Sequence, residues 1–231
     1  MTKNSIQNWD NLSEHFNTYT PQANLGVLAN IEQTWEVLEP FLKSISEKQS
    51  KFLDFGCGTG ALCNKVSSNN ITPIGYDPSE KMIKVAQENS PNKLKYISGS
   101  LESIVKHAPY DLITALMVLQ FLENINESIE NIVSSLKPKA IFWFTVHNEE
   151  YVFSKNNSYT KFTNLKKDLL PKEANIILSG ESIKTFVRSS KEYTQIMYKN
   201  GLKKELEWYS EKYSDAIPPK YLVMAFSKQK I

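Results

Sequence analysis

The chain has 231 residues, of which 41% are hydrophobic and 23% are charged, and its formal net charge is +2. This length and apolar content suffice for one sizeable core, so we expect a single domain over residues 1–231. The near-neutral charge and the lack of an extended Lys/Arg block argue against a nucleic-acid partner.

The cysteines and the apolar runs indicate the compartment. Cys57 and Cys63 are the only cysteines, which is too few for a disulfide framework and indicates reduced thiols. The first residues, "MTKNSIQNWD", lack the apolar stretch of a signal peptide, and the longest apolar run, "AIFWFTV", is far too short to span a membrane. We therefore expect a cytoplasmic protein without a membrane partner.

Helical and strand patterns alternate from about residue 31 onward. The stretch "IEQTWEVLEPFLKSI" places its apolar residues on one helical face and ends an N-terminal helical cover over residues 1–45. Strands are then predicted at "KFLDF", "ITPIGY", "LKYIS", "YDLITALM" and "AIFWFTV", and helices at the glycine turn, "DPSEKMIKVAQEN", "SLESIVK" and "NESIENIVSSLKP". Asp77 and Pro78 are expected to open the second of these helices, and Pro138 to end the last. This order predicts an α/β fold with a doubly wound parallel sheet.

The C-terminal third departs from this alternation. Residues 147–188 are rich in Asn, Ser, Lys and Tyr, with one weak strand pattern at "ANIILS". We interpret them as an insertion over the substrate site that lacks a core of its own. A helix at "SKEYTQIMYKNG" and strands at "KELEWYS" and "YLVMAFS" follow. Because no crossover helix joins these two strands, they predict an antiparallel pair at one edge of a mostly parallel seven-stranded sheet.

The stretch "KFLDFGCGTGAL" carries the most specific functional signal. Gly56, Gly58 and Gly60 alternate behind a strand that contains Asp54. Ligands of open parallel sheets bind at the carboxyl ends of the strands, and glycines let the backbone approach them closely. The spacing also satisfies the dinucleotide pattern G-x-G-x-x-G/A, which alone is a weak signal.

Two carboxylates narrow the ligand class. Asp54 would repel a pyrophosphate and attract a cation. Asp77, 17 residues after Gly60, ends the next predicted strand, where a carboxylate can accept both hydroxyls of a ribose. A ribonucleoside with a positive group and no phosphates fits both acids, and S-adenosylmethionine has this chemistry. An NAD-dependent enzyme remains an alternative that Asp54 disfavours.

The motifs together resemble the class I, Rossmann-like S-adenosylmethionine-dependent methyltransferases of the small-molecule type. "LDFGCGTG" resembles their first motif, "IGYDPSEKMIKVA" the second, and "GSLESI", "YDLITALMVLQFLEN" and "LKPKAIFWFTV" the third to fifth strands. "RSSKEYTQIMYKNGL" and "PPKYLVMAFSK" resemble their C-terminal part. Besides the acids and glycines, the resemblance implies cofactor contacts for Cys57, Pro78, Met82 over the adenine, Ser100 in place of the usual acid, and Leu101. It also implies that Leu116 and Tyr19 lie against the methionine end of the cofactor.

Transfer of a methyl group from a sulfonium mainly requires positioning and the exclusion of water. The chain lacks an Asn/Asp-Pro-Pro-aromatic tetrapeptide, a Pro-Cys pair and a cluster of acids and histidines that would bind a metal, which leaves a small-molecule acceptor as the favoured class. A nucleoside or protein acceptor, or a non-catalytic cofactor-binding regulator, stays open.

Four residues are candidates for the acceptor site. His147 follows the fifth strand and is the candidate general base, because its ordinary pKa suits that role. Gln120 stands where the family often has histidine. Arg188, the only arginine, could bind a carboxylate or phosphate of the substrate, and His15 lies in the N-terminal cover.

Overall fold

The structure is a computed structural model that describes residues 3–17, 25–46, 49–68, 70–90, 94–154, 161–212 and 214–229. The helices of this part are α1 (Lys3–Leu12), α2 (Leu25–Ile45), α3 (Ala61–Val66), α4 (Glu80–Glu88), α5 (Glu102–Val105), α6 (Asn126–Ser135), α7 (Glu149–Phe153) and α8 (Ser190–Lys199). The strands are β1 (Ser50–Phe55), β2 (Ile71–Tyr76), β3 (Lys95–Ile97), β4 (Tyr110–Leu116), β5 (Leu136–His147), β6 (Phe162–Lys166), β7 (Lys172–Leu178), β8 (Glu181–Val187), β9 (Leu202–Tyr209) and β10 (Tyr221–Lys228). None of the described helices is both long and apolar enough to cross a membrane.

A seven-stranded sheet organises the molecule, in the order β3-β2-β1-β4-β5-β10-β9. The first five strands are parallel, and β10 runs antiparallel to both β5 and β9. The expected mostly parallel, doubly wound sheet with an antiparallel C-terminal edge pair is thus confirmed. The strand order reverses between β1 and β4, which is where such sheets bind their ligands.

Helices cover both faces of this sheet. Alternate residues of its central strands point to opposite faces and pack against these helices. Phe52 of β1 and Leu112 of β4 pack with Leu38 of α2 on one side. Leu53 of β1 packs with Ile129 of α6 on the other side. Strand β4 is buried along nearly its whole length, which agrees with its largely apolar sequence, although it also contains the buried Asp111 and Thr114.

Two predicted helix boundaries were wrong, by three residues at the end of α6 and by two at the start of α4. Helix α6 ends at Ser135, and the chain enters β5 at Leu136, ahead of the expected end at Pro138. Proline disfavours a helical conformation at the residue before it, and the buried Leu136 packs into the core instead. Helix α4 begins at Glu80, because the Ser79 hydroxyl caps it by accepting a hydrogen bond from the Met82 N–H at 3.1 Å.

The segment after β5 contains more structure than the sequence predicted. It forms the short helix α7 and a three-stranded antiparallel sheet, β6-β7-β8, where only one weak strand was expected. The expectation that it has no core was also wrong. Ala174 and Val187 pack with Val152, while Ile176 and Ile183 of the small sheet pack against α1 and α4.

Candidate functional site

A cavity of about 390 Å³ lies at the carboxyl ends of the central strands. The glycine loop after β1 and the ends of β2, β4 and β5 form its base. Trp9 and Phe16 from the N-terminal segment, and Ile176 and Leu178 from β7, form its cover. A larger open groove of about 720 Å³ lies between α2, the start of β5 and the end of β10. None of the predicted site residues is among those that line it.

The cavity brings together most of the predicted residues. It is lined by Asp54, Gly56, Cys57, Gly58, Asp77, Pro78, Met82, Leu101, Leu116, Gln120 and His147. Gly60, Ser100, His15 and Arg188 are not among the residues that line it. Tyr19 lies outside the described residues.

Glycine is required at the three loop positions for different structural reasons. Gly56 and Gly60 adopt φ of +77° and +84°, and a Cβ at either position would collide, with Val118 Cγ2 at 2.3 Å and with Tyr96 Oη at 2.5 Å respectively. Gly58 has φ of +53° with no atom within 4 Å of a built Cβ, so the space over it is open. Gly60 packs against Tyr96 and is not among the residues that line the cavity, so the cofactor contact expected for it stays a prediction.

Asp54 lines the cavity with a carboxylate that also bonds into the protein interior. Its Oδ1 accepts a hydrogen bond from Thr114 Oγ1 at 2.9 Å, and its Oδ2 lies 3.8 Å from Cys63 Sγ. Burial raises the pKa of Asp54 to about 7, which the hydrogen bond from Thr114 counteracts and the nearby charge of Asp77 reinforces. A cation in the cavity would favour the ionised form of this acid.

Asp77 connects the first two motifs of the cofactor region. Its Oδ2 accepts a hydrogen bond from the Gly58 N–H at 3.1 Å, and its Oδ1 accepts one from the Ser79 N–H at 2.9 Å. Burial raises its pKa to about 6, although both of these backbone hydrogen bonds favour the ionised form. Each oxygen keeps a lone pair that can accept a further hydrogen bond from a ligand.

The N-terminal segment is tied to both motifs by polar contacts. Thr59 Oγ1 donates to the Phe16 carbonyl oxygen at 2.8 Å, next to the loop glycines. Ser79 Oγ donates to Asp10 Oδ1 at 2.6 Å, and the same hydroxyl caps α4. These contacts hold α1 as a cover over the cavity. The sequence offered no signal for them, because the partners are more than 40 residues apart.

His147 and Gln120 form one hydrogen-bonded unit in the cavity wall. Gln120 Oε1 accepts from the His147 backbone N–H at 2.9 Å and lies 3.1 Å from His147 Nδ1. Since this oxygen can only accept, Nδ1 carries the proton and Nε2 is free of one. Burial, helped by the charge of Lys220, lowers the pKa of His147 to about 3. The imidazole is thus neutral and a weak proton acceptor.

The other two acceptor candidates do not line this cavity. Arg188 is buried, and its guanidinium donates to the carbonyl oxygens of Phe186 and Glu123. The substrate contact expected for Arg188 stays a prediction. His15 is exposed, with its ring edge against Phe16. Ser100 is exposed at the start of α5, beside Leu101, which does line the cavity.

The sequence analysis missed several residues of this site. Phe121, Lys161 and Lys220 line the cavity without having been named as site residues, and Trp9 lines it as part of the predicted N-terminal cover. Gly75 on β2 does not line the cavity but packs beside it, because a Cβ there would lie 2.5 Å from Tyr96 Cδ1. Across the described ranges no group of three His, Cys, Asp or Glu side chains could hold a metal ion.

Comparison with known proteins gives the family. A family model described as "Methyltransferase domain" matches residues 29–206. The malonyl-[acyl-carrier protein] O-methyltransferase of Halalkalibacterium halodurans is 28% identical over 132 residues, which are 54% of this chain and 49% of that protein. A ubiquinone biosynthesis O-methyltransferase of Rickettsia bellii is 24% identical over 150 residues, 61% of this chain and 60% of that protein. The alignments thus span about half to three fifths of these relatives.

Solved structures share the fold. The PH0226 protein from Pyrococcus horikoshii OT3 superposes with a TM-score of 0.71 at 20% identity, over 95% of this chain and 99% of that one. An S-adenosylmethionine-dependent methyltransferase from Mesorhizobium loti gives a TM-score of 0.63 at 17% identity, over 85% and 98% of the two chains.

Proposed function

This chain belongs to the methyltransferase-domain family, and from that premise we propose that it is an enzyme that transfers a methyl group from S-adenosylmethionine to a small molecule. The names of the two curated relatives, both O-methyltransferases, support this assignment. The observation that carries it is the pair Asp54 and Asp77 beside the glycine loop, in a cavity at the reversal point of the sheet.

The residues present fit the cofactor. The open space over Gly58 lets a ligand approach the backbone, and the half-buried Asp77 can accept hydrogen bonds from a ribose diol. Asp54 offers a negative charge for an ammonium group, while Met82, Leu101 and the aromatic cover supply apolar surface for an adenine. When bound, the cofactor supplies a methyl group already activated on a sulfonium.

The chain's own contribution is positioning and the exclusion of water. Trp9, Phe16 and β7 close the cavity from above. We propose that His147 faces the acceptor as a neutral side chain held by Gln120, with Nε2 able to accept a hydrogen bond. This role differs from the predicted general base, because a pKa of about 3 leaves little drive for proton abstraction at neutral pH.

The proposal also includes the domain organisation, the compartment and the partners expected from the sequence. We propose that residues 1–231 act as one domain in the cytoplasm, without a nucleic-acid partner. Cys57 and Cys63 are both free and buried, which supports a reducing compartment. The small sheet β6-β7-β8 contributes Ile176, Ile177 and Leu178 to the cavity, which supports its assignment as a cover over the substrate site.

A binding panel tests the cofactor. Thermal unfolding would be followed with S-adenosylmethionine, S-adenosylhomocysteine, NAD and ATP, each at saturating concentration. We expect only the first two to raise the Tm, since a ligand that binds the folded state stabilises it by mass action. Stabilisation by NAD alone would overturn the assignment. Transfer of a radiolabelled methyl group to a metabolite extract would then distinguish an enzyme from a protein that only binds the cofactor.

A further inference from the structure

The acidic and the basic side chains that line the cavity lie at different ends of it. Asp54 and Asp77 lie beside the glycine loop at the ends of β1 and β2. The basic residues that line the cavity within the described chain are Lys161 and Lys220, which flank β6 and β10. Lys220 precedes Tyr221, the residue that pairs with His147 at the far end of β5. One end of the cavity therefore attracts cations, and the opposite end attracts anions.

Lys220 is a half-buried cation that forms no ion pair with any carboxylate in the described part of the chain. Its backbone oxygen accepts a hydrogen bond from the Asn148 N–H at 2.9 Å, which fixes the residue beside the end of β5. Its ammonium lies 5.0 Å from the centre of the Tyr221 ring. Burial lowers the pKa of this amine. A buried charge of this kind is stabilised when a ligand supplies the opposite charge.

The neighbouring side chains add a hydrogen-bond donor. Gln120 Oε1 is occupied by the two N–H groups of His147, which leaves the Nε2 amide group as the free end of that side chain. Gln120 is 4% exposed, and its Nε2 has no hydrogen-bond partner among the described residues. A ligand with acceptor oxygens at this end of the cavity could use both the ammonium of Lys220 and this amide.

The rest of the cover is apolar. Trp9 and Phe121 pack edge to face with ring centres 4.7 Å apart, and Ile176 and Leu178 extend this surface along β7. The only guanidinium of the chain, that of Arg188, is engaged by backbone carbonyls. The site thus offers the half-buried Lys220 and the exposed Lys161 beside a large apolar wall. Because only one of these two cations is half-buried, the arrangement matches a singly charged carboxylate better than a phosphate dianion, which recruits several basic groups.

We infer that the methyl acceptor is a small carboxylic acid with an apolar body, whose carboxylate binds Lys220 and Gln120 and whose apolar part lies against Trp9, Phe121 and β7. This inference rests on the proposed methyltransferase function. It assigns the recognition of the substrate's anionic group to Lys220, in place of the Arg188 predicted from the sequence.

Binding of matched probes tests the inference. The full chain, saturated with S-adenosylhomocysteine, would be titrated by calorimetry with phenylacetate, phenylacetamide, phenyl phosphate, octanoate and octanamide. We expect each acid to bind about tenfold or more tightly than its amide, and phenylacetate to bind more tightly than phenyl phosphate. Lys220→Met should remove the preference for the acids and leave amide affinity within about twofold, while Lys220→Arg should retain it. Lys84→Met, on the exposed face of α4, is the matched control.

The results separate the two proposals. Unchanged binding of S-adenosylhomocysteine to Lys220→Met would show that the variant is folded. If S-adenosylhomocysteine does not bind the unmodified chain, the proposed function fails. If S-adenosylhomocysteine binds, three results would refute the carboxylate assignment alone. These are equal binding of the amides and the acids, no binding of any probe, and an acid preference that persists in Lys220→Met. Tighter binding of phenyl phosphate would also overturn it, in favour of a phosphorylated acceptor.

Discussion

The carboxylate of Asp77 accepts a hydrogen bond from the backbone N–H of Gly58 at 3.1 Å. An acid at the end of β2 thereby fixes the glycine loop that follows β1, and a second hydrogen bond, from the Ser79 N–H, aligns the start of α4. The same side chain is therefore a structural anchor and a candidate ribose ligand. Its substitution should affect cofactor affinity and stability together.

Asp77→Asn should weaken binding of S-adenosylhomocysteine by about 10- to 100-fold, because a hydrogen bond to a charged acceptor is worth about 1.5–3 kcal/mol. Asp77→Ala should in addition lower the free energy of unfolding by about 1–3 kcal/mol, since the Gly58 and Ser79 N–H groups lose their acceptor. Calorimetry and urea unfolding measure the two effects. Glu80→Gln, an exposed acid in the same turn, is the control, and an unchanged affinity of Asp77→Asn would remove the ribose role.

Cofactor binding should depend on pH through Asp54. Its pKa in the folded protein, about 7, lies above the value of about 4 in an unfolded chain. The protonated form therefore stabilises the fold below pH 4, and this contribution is lost as the pH rises through 7. Because a bound cation favours the ionised form, S-adenosylmethionine should raise the Tm more at pH 8 than at pH 5.5.

Asp54→Asn isolates this effect from the titration of Asp77. The variant should bind S-adenosylmethionine more weakly at pH 8, and its affinity should vary less with pH than that of the unmodified chain. Calorimetry in buffers of different ionisation enthalpy should also detect less proton release on binding. The electrostatic role of Asp54 would be refuted by equal affinities of the two proteins at pH 8.

Two loop glycines should respond differently to alanine. Gly60→Ala places a Cβ 2.5 Å from Tyr96 Oη at a φ of +84°, so it should lower the free energy of unfolding by about 2–3 kcal/mol. Gly58→Ala meets no neighbour and carries only the strain of its positive φ, about 1–2 kcal/mol, but fills space over the loop. It should therefore impair cofactor binding more than stability. This distinction would be contradicted if Gly58→Ala and Gly60→Ala lowered the free energy of unfolding equally and weakened cofactor binding equally.

Arg188 should behave as a structural residue. Arg188→Ala removes the hydrogen bonds to the carbonyl oxygens of Phe186, which is buried, and of Glu123, and deletes a buried side chain, which should lower the free energy of unfolding by about 1–3 kcal/mol. Arg188→Lys retains the charge but not the fork of donors, so it should recover only part of this loss. Binding of S-adenosylhomocysteine at a temperature where the variants are folded should match that of the unmodified chain. A selective loss of acceptor binding would instead support the role predicted from the sequence.

His147 should not produce an inflection in the pH profile near neutrality. With a pKa of about 3, the imidazole stays neutral from pH 5.5 to 8.5. At saturating cofactor and acceptor, kcat of His147→Gln should be lower than that of the unmodified enzyme but follow the same pH dependence. A fall in kcat between pH 7 and 6 that disappears in the variant would identify His147 as a general base with a pKa restored by the substrate.

The order of the elements and the position of the cofactor region were predictable from the sequence. Buried strands, amphipathic helices and the glycine turn are encoded by residues that are close together in the chain, so periodicity and spacing identify them. Asp54 and Asp77 could be assigned to one site because parallel strands end at the same edge of a sheet. The C-terminal pair was predictable because two strands without a crossover helix must be antiparallel.

Only the tertiary structure decided which further side chains line the cavity beside the predicted ones. Residues 162–187 are separately weak as strands, and they form a sheet because β7 pairs with both neighbours and packs on α1. Arg188 is drawn to carbonyl oxygens as far away as Glu123, 65 residues earlier, while Lys220 is left facing the cavity. Charge and residue type define what a side chain can bind. Contacts between distant parts of the chain determine whether that capacity is used inside the fold or remains free for a ligand.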